Sequence, residues 1–506
     1  MLFLGSGISY ASEMPTVKQI TDDLLQNEWS RYTGGTYFKG RDPSEYLEEV
    51  YLALAEQQVL KILAERITEY LSKRGVERRA NYEDLYYVLR QLKEEETRDS
   101  ANPVAGPFCE NVFPLFNKPL EELSERHAFK YHLSELFSMC QELIADVVAA
   151  NLRKIPETVV GLDFLRQVVT DPSVSRLTIV TLNHDALVES CLEKADIRYI
   201  DGFRKDADGH LTFDREALKS DDHVKLLKLH GSVDWYRVGS RLVKRPSGNL
   251  ICAPRPVILC GTDNKPISYS FGIFQDLHYY WQRMLDDHKL MVMSGYGWND
   301  IGISGKILQW LEGTDTRLVL LDKDVDSLLK RSNSRLPLQY RDLIVSDKII
   351  PLHRWLEDTN WGSVKARIGL WDKAEELPIL DGILLKTCAE LEDKWVLLDR
   401  SERDTVVRNM INEIFLRCLF VDDAGKSPDE AGVLDLHMYL NKNAHDAKEE
   451  LFHELAASTG KVLACGQRKV NSQAVLIPLK MAISETLSRI QEGNCAAREL
   501  KRILRS

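Results

Sequence analysis

Seven short apolar runs, most of them closing on a small, polar or titratable residue, limit what this chain can fold into more than any other feature. They are Met1-Leu2-Phe3-Leu4 before Gly5, Leu177 to Val180 before Thr181, and Leu226 to Leu229 before His230. The others are Val257 to Leu259, Leu290 to Met293 before Ser294, Leu318 to Leu321 before Asp322, and Ile349 to Leu352 before His353. None is long enough to form a stable helix alone or to cross a membrane. Lacking polar alternation, such runs must be covered on both faces, which is the situation of strands in a parallel sheet. Helical patterns between them, as at Leu187 to Leu192, give the alternation of an α/β chain with a Rossmann-like parallel sheet.

Between the first run and the second the rhythm breaks. The segment after Pro15 has a helical pattern, and the chain then leaves through Gly34-Gly35. Asp42-Pro43-Ser44-Glu45 reads as a helix start, with Asp42 as N-cap and Pro43 in the first turn. Leu47, Leu54, Leu60, Ile62, Leu63 and Ile67 continue it until Gly75. A second helix is expected over Tyr82 to Glu95 and a third over about His127 to Leu152. Residues of about 40–158 therefore form a helical insertion in an α/β domain of residues 1–375. From 376 to 506 the pattern is mainly helical, near Leu380 to Leu398, Asp404 to Leu419 and Met481 to Leu504, and a separate C-terminal domain is expected. Thr459 to Ser506 is its basic part, with nine Lys/Arg against three Glu.

The formal charge of −11 on 506 residues opposes non-specific contact with nucleic acid or an anionic membrane. The first residues lack a positively charged leader pattern, and no run reaches the length of a membrane span, so a cytoplasmic protein is expected. Nine cysteines are scattered with no C-x-x-C pair, which fits neither a disulfide framework nor a thiolate zinc site.

Three strand ends carry chemistry. Gly5-Ser6-Gly7-Ile8-Ser9 lies where a strand hands over to a helix, a place that receives phosphate, although a glycine turn that only packs a helix on a sheet has the same pattern. Thr181-Leu182-Asn183-His184-Asp185 puts an uncharged donor and acceptor, Asn183, at the crevice end of a strand; an Asx turn with Asp185 capping the next helix reads equally well. Lys228-Leu229-His230-Gly231 places an imidazole at a third strand end, suited to proton transfer or to a structural hydrogen bond. His184 and His223 have no partner at metal-ligand spacing and are read as structural, and Trp235, Tyr236, Tyr279, Tyr280 and Trp281 as packing residues.

In that order, the glycine-serine turn, the T-x-N-x-D and the strand-terminal H-G resemble the sirtuin (silent information regulator two) superfamily. They are closer still to its bacterial sirtuin-like NADase branch of anti-phage defence systems. Gly295-Tyr296-Gly297-Trp298-Asn299-Asp300 is similar to a G-Y-x-x-x-D turn of that branch. The resemblance spans about Met1 to Leu356. It implies a sirtuin-like fold with NAD as substrate and no metal. Asn183 and His230 would be catalytic, with Gly5, Ser6, Gly7 and Ser9 along the pyrophosphate and Thr181 and Asp185 shaping the pocket. Gly295 would sit in the later turn, and Asp322 would face a ribose of the adenosine half.

Two departures separate the chain from the protein-deacylating sirtuins. The four-cysteine zinc module is missing, and Tyr10-Ala11-Ser12-Glu13-Met14-Pro15-Thr16 replaces their G-I-P-D-F-R run. Water rather than acyl-lysine is then the expected acceptor, making the chain an NAD glycohydrolase that depletes NAD in an infected cell. The alternatives are a non-catalytic NAD or ADP-ribose sensor and a zinc-independent deacylase. The same resemblance implies a homo-oligomer, or a partner such as a defence-system ATPase or a phage-derived trigger, with no membrane and no direct nucleic-acid contact. From the cysteine spacing, elemental analysis of the purified protein is expected to find no stoichiometric zinc, and one tightly bound zinc per chain would overturn this reading.

Overall fold

The computed structural model describes residues 1–375 except 33–34, 41–49, 100–104, 221–222, 246–254, 262–264 and, apart from 325, 328 and 343, 324–347; beyond 375 it describes only Lys386. The expected helix start at Asp42 and the expected C-terminal domain of residues 376–506 lie outside the described residues. The chain divides into two compact units, Met1–Thr314 with Arg331–Leu336, and Asp315–Lys330 with Pro337–Ser506.

The first unit begins with β1 (Leu2–Leu4), followed by a single 3-10 turn at Ser6–Ser9 and α1 (Val17–Gln26). Thr16 and Gln19 close a capping box at the start of α1 and so fix where it begins. β2 (Trp29–Tyr32), β3 (Tyr37–Lys39) and β4 (Val50–Leu52) then make a small antiparallel sheet. The insertion continues as α2 (Leu54–Lys73), α3 (Tyr82–Thr97), α4 (Gly106–Val112), α5 (Asn117–His127) and α6 (Leu133–Leu152). The helix expected over about His127 to Leu152 occurs as α6, which starts later, at Leu133, and α5 before it was not expected. Ala128 ends α5 in the left-handed conformation, φ +49°, and His132 with Glu135 caps the start of α6.

After α7 (Asp163–Val169) the α/β pattern returns with β5 (Leu177–Thr181) and α8 (Leu187–Lys194). There follow β6 (Phe203–Lys205), β7 (Leu211–Phe213), β8 (Val224–Lys228), β9 (Gly231–Val238), β10 (Arg241–Lys244) and β11 (Pro256–Ile258). The unit closes with α9 (Lys265–Ser268), α10 (Gly272–Asp287), β12 (Leu290–Ser294) and α11 (Ile301–Leu311). In the second unit, β13 (Arg317–Leu321) and β14 (Ile349–Leu352) pair in parallel, Leu318 opposite Ile349, and α12 (Trp361–Glu375) follows.

The core sheet of the first unit runs β12-β1-β5-β8, all parallel. Leu2, Phe3 and Leu4 are at most 2 % exposed, as expected of a central strand covered on both faces. Full burial of such side chains contributes roughly 1.5–3 kcal/mol each relative to exposure. The register sets Leu4 beside both Ser294 and Thr181, and Thr181 beside Lys228. Whatever follows these four strands is therefore delivered to one edge of the sheet.

The run around Val257 does not join the parallel sheet. It forms β11, antiparallel to β9 at the edge of a five-stranded sheet ordered β11-β9-β10-β7-β6. Pro256 lacks an N–H to donate, which an edge strand tolerates, and the register shifts between Pro256 and Ile258.

A Cβ on Gly5 would stand 2.3 Å from the Gly295 carbonyl oxygen, whereas one on Gly305, in the middle of α11, meets nothing within 4 Å. Gly5→Ala is accordingly expected to destabilise the protein by about 1–3 kcal/mol through overpacking against backbone. Gly305→Ala is expected to stabilise it by about 0.5–1 kcal/mol through helix propensity. Denaturant unfolding of the two variants reads both signs.

Candidate active site

A cleft of about 530 Å³ opens at the C-terminal edge of the four parallel strands, the edge at which open α/β sheets bind ligands. Of the residues singled out from the sequence, Gly5, Ser6, Gly7, Ser9, Asn183, Asp185, His230 and Gly295 line it together. Thr181 does not line it; it is 1 % exposed and its Oγ1 accepts the N–H of Asn183 at 3.1 Å, so it positions its neighbour. Asp322 belongs to the second unit, where it is buried directly after β13. A larger groove of about 1250 Å³ runs between α1, α2 and Arg78 to Asn81. Its buried hydroxyl, Thr21, is already occupied by the Val17 carbonyl and the Tyr82 N–H, so the groove offers less chemistry than the cleft.

The two glycine turns interlock. Gly5 N–H donates to the Ser294 carbonyl and Gly7 N–H to the Gly295 carbonyl, both at 2.9 Å. Gly295 takes φ +70°, and a Cβ there would stand 2.6 Å from the Ile8 nitrogen. These glycines line the cleft, but the N–H groups of Gly5 and Gly7 are engaged within the protein.

Asn183, 6 % exposed, is oriented by a relay. The Ser9 hydroxyl donates to Asp185 Oδ2 at 3.2 Å, and Asn183 Nδ2 donates to Ser9 Oγ at 3.0 Å. Because the serine's one proton goes to the carboxylate, its oxygen must accept from the amide nitrogen. Asn183 Oδ1 is left buried with no partner in the protein. Asp185 also accepts the Leu187 N–H at 3.0 Å, so from one residue before the Ala186 N-cap it both satisfies the first N–H of α8 and anchors the relay. Burial pushes its carboxyl up from the ordinary value, against the opposing pull of the Lys228 ammonium, which donates to the Asp185 backbone carbonyl.

His230 is 3 % exposed. Tyr269 donates its hydroxyl proton to Asp300 Oδ2, while His230 Nε2 lies 2.9 Å from the Tyr269 oxygen and 3.3 Å from Asp300 Oδ2. Both neighbours accept, so Nε2 carries the ring proton and Nδ1 is the acceptor. Burial, then the Lys265 charge, lower the His230 pKa, and Asp300 opposes them. The imidazole is neutral at neutral pH. Burial alone would raise Asp300, yet the hydrogen bonds from His230 and Tyr269 hold it below the usual carboxylate range. Its Oδ1 caps α11 through the Ile303 N–H at 3.0 Å.

Sequence reasoning missed several members of this site. Asp300 stood inside the quoted G-Y-x-x-x-D turn but was given no role. His184, read as structural, lines the cleft 7 % exposed with Nδ1 unpartnered, its ring centroid 6.3 Å from that of His230. Burial holds it well below the ordinary histidine value. Tyr269, stacked 3.9 Å from His278, and the Lys265–Glu83 pair at 3.4 Å had no motif to mark them.

Compared with known proteins, the chain matches no family model and no curated protein. Among the described residues no helix is long and apolar enough to cross a membrane, and no group of three or more His, Cys, Asp or Glu is placed to hold a metal ion.

Because Asp300 is the group that raises the His230 pKa against burial, Asp300→Asn is expected to move the His230 titration to lower pH. NMR of ¹³C-labelled histidine measures it. The wild-type midpoint is expected below 6.5 and that of the variant lower still; a wild-type midpoint above 6.5 contradicts the electrostatics described.

Proposed function

We propose that the cleft binds NAD and hydrolyses the bond between nicotinamide and its ribose, giving nicotinamide and ADP-ribose. The observation that carries this reading is the pair of acceptors, Asn183 Oδ1 left without a protein partner and His230 Nδ1, on adjoining strand ends in one cleft. A ribose diol or a nucleophilic water brings the hydroxyl donor that Asn183 Oδ1 lacks and a proton for the acceptor nitrogen of the imidazole. The cleft volume of about 530 Å³ is within the usual range for ligand sites.

The chemistry asks little more of the protein than position and one proton acceptor. As the C–N bond breaks, its electron pair stays on the pyridinium nitrogen, nicotinamide leaves neutral, and positive charge develops on the ribose. Asn183, uncharged, holds the hydroxyls in place, and water adds to the ribose carbon. His230, neutral and with its Nε2 proton fixed by Asp300 and Tyr269, takes the proton that water loses. The resemblance to sirtuin-like NADases extends the reading to anti-phage defence by NAD depletion, by a cytoplasmic homo-oligomer or a complex with a partner protein.

Asn183→Ala and His230→Ala are each expected to lower NAD hydrolysis by about a hundredfold or more, the scale for losing a positioning or acid–base group. Nicotinamide release is the measurement, with circular dichroism to confirm folding. Wild-type turnover in either variant would sink the assignment. Binding of NAD without turnover by the wild-type chain would favour a sensor.

A further inference from the structure

The interlocked glycine turns leave an electrostatic demand unmet. A pyrophosphate carries negative charge that must be matched on leaving water, and the N–H groups of Gly5 and Gly7 are engaged with backbone carbonyls. Two cationic side chains line the cleft, Lys18 and Lys265. Lys18 stands exposed on α1. Lys265 forms part of the wall, its side chain 13 % exposed, with the α3 carboxylate of Glu83 as its ion-pair partner at 3.4 Å.

That distance is longer than the 2.7–2.9 Å typical of a tight charge-assisted hydrogen bond. Glu83 also receives the Gly261 N–H, so one carboxylate serves that amide as well as the ammonium. The other two acids lining the cleft are committed elsewhere. Asp185 serves Ser9 and Leu187, and Asp300 serves Tyr269, His230 and Ile303. Burial would lower the Lys265 pKa, but Glu83 and Asp300 more than offset it, and the side chain stays charged. An ammonium has three donors, and a single carboxylate oxygen at this distance leaves it free to serve another anion.

We propose that Lys265 is the phosphate-binding residue of the cleft, held by Glu83 until the pyrophosphate of a bound nucleotide displaces that carboxylate. This rests on the nucleotide reading above and adds regulation to it. Glu83 is the second residue of α3, a helix of the insertion, so a ligand that takes Lys265 also loosens a tie between the insertion and the segment carrying Tyr269.

Calorimetric titration of the full chain with ADP-ribose, and separately with inorganic pyrophosphate, tests the proposal. Lys265→Met is expected to weaken both by about tenfold or more, and Lys265→Arg to stay within about threefold of wild type. Glu83→Gln keeps an acceptor for the Gly261 N–H but removes the competing charge, so it is expected to tighten ADP-ribose severalfold. A pair that only supports the fold gives the opposite sign in Glu83→Gln. Weaker binding in that variant, or unchanged binding in Lys265→Met, overturns the proposal. Should Lys265→Met fail to fold, the sign in Glu83→Gln still decides. A wild-type chain that binds neither ligand removes the nucleotide reading itself and the proposal with it.

Discussion

The site depends on the contact between two backbone turns that no side chain could survive. Gly5 and Gly7 meet Gly295 so closely that a Cβ on any of the three would stand within 2.7 Å of the facing backbone. This contact joins the end of β1 to the end of β12, while the sheet ladder joins β1 to β5 and β5 to β8. Asn183, His230 and Asp300, 47 and 70 residues apart in sequence, reach one cleft because four strand ends share one edge. The glycines supply closeness, and the polar residues that follow supply chemistry.

Electrostatically the cleft is a set of buried polar groups in which each charge has a partner. Asp300 is held by an imidazole, a phenol and a helix N-terminus, and Asp185 by a hydroxyl and another helix N-terminus. Carboxylates at helix starts are stabilised by the free N–H groups there. Both therefore contribute to folding as well as to orienting the residue beside them. Burial keeps His184 and His230 neutral, so the pair presents ring nitrogens able to accept a proton and not two cations.

The parallel strands were readable because complete burial leaves a plain mark, a short apolar run with a polar stop. For the same reason the sequence places Asn183, Asp185 and His230, each within five residues of the end of such a run, at the edge where the cleft opens. The run at Val257 misled because three apolar residues fit an edge strand of an antiparallel sheet as well as a buried parallel one, and Pro256 was the signal that separates the two. Tyr269, Lys265 and Glu83 were invisible for a different reason. Lys265 and Glu83 line the cleft, and Tyr269 meets His230, from loop and helix positions whose local pattern is that of ordinary packing and solvated charge. Only the tertiary fold brings Glu83 to Lys265 across 182 residues. Asp300 lay in a recognised turn, but its role depends on a tyrosine 31 residues away.

Trp298 sits in the same turn as Gly295 and Asp300, fully buried, at φ +58°, with its indole N–H unpaired. A left-handed conformation at a bulky residue costs about 1–3 kcal/mol and persists only where its surroundings over-determine it. The tryptophan ring provides that restraint, packed 5.5 Å from the Tyr296 ring, and the backbone it holds aims Asp300 at His230. Backbone strain and ring packing are therefore balanced at this one residue. A glycine there would release that strain but forfeit a fully buried ring worth roughly 3–5 kcal/mol. The packing that stabilises the fold is thus also what keeps the strained backbone, and with it the aim of the carboxylate, in place.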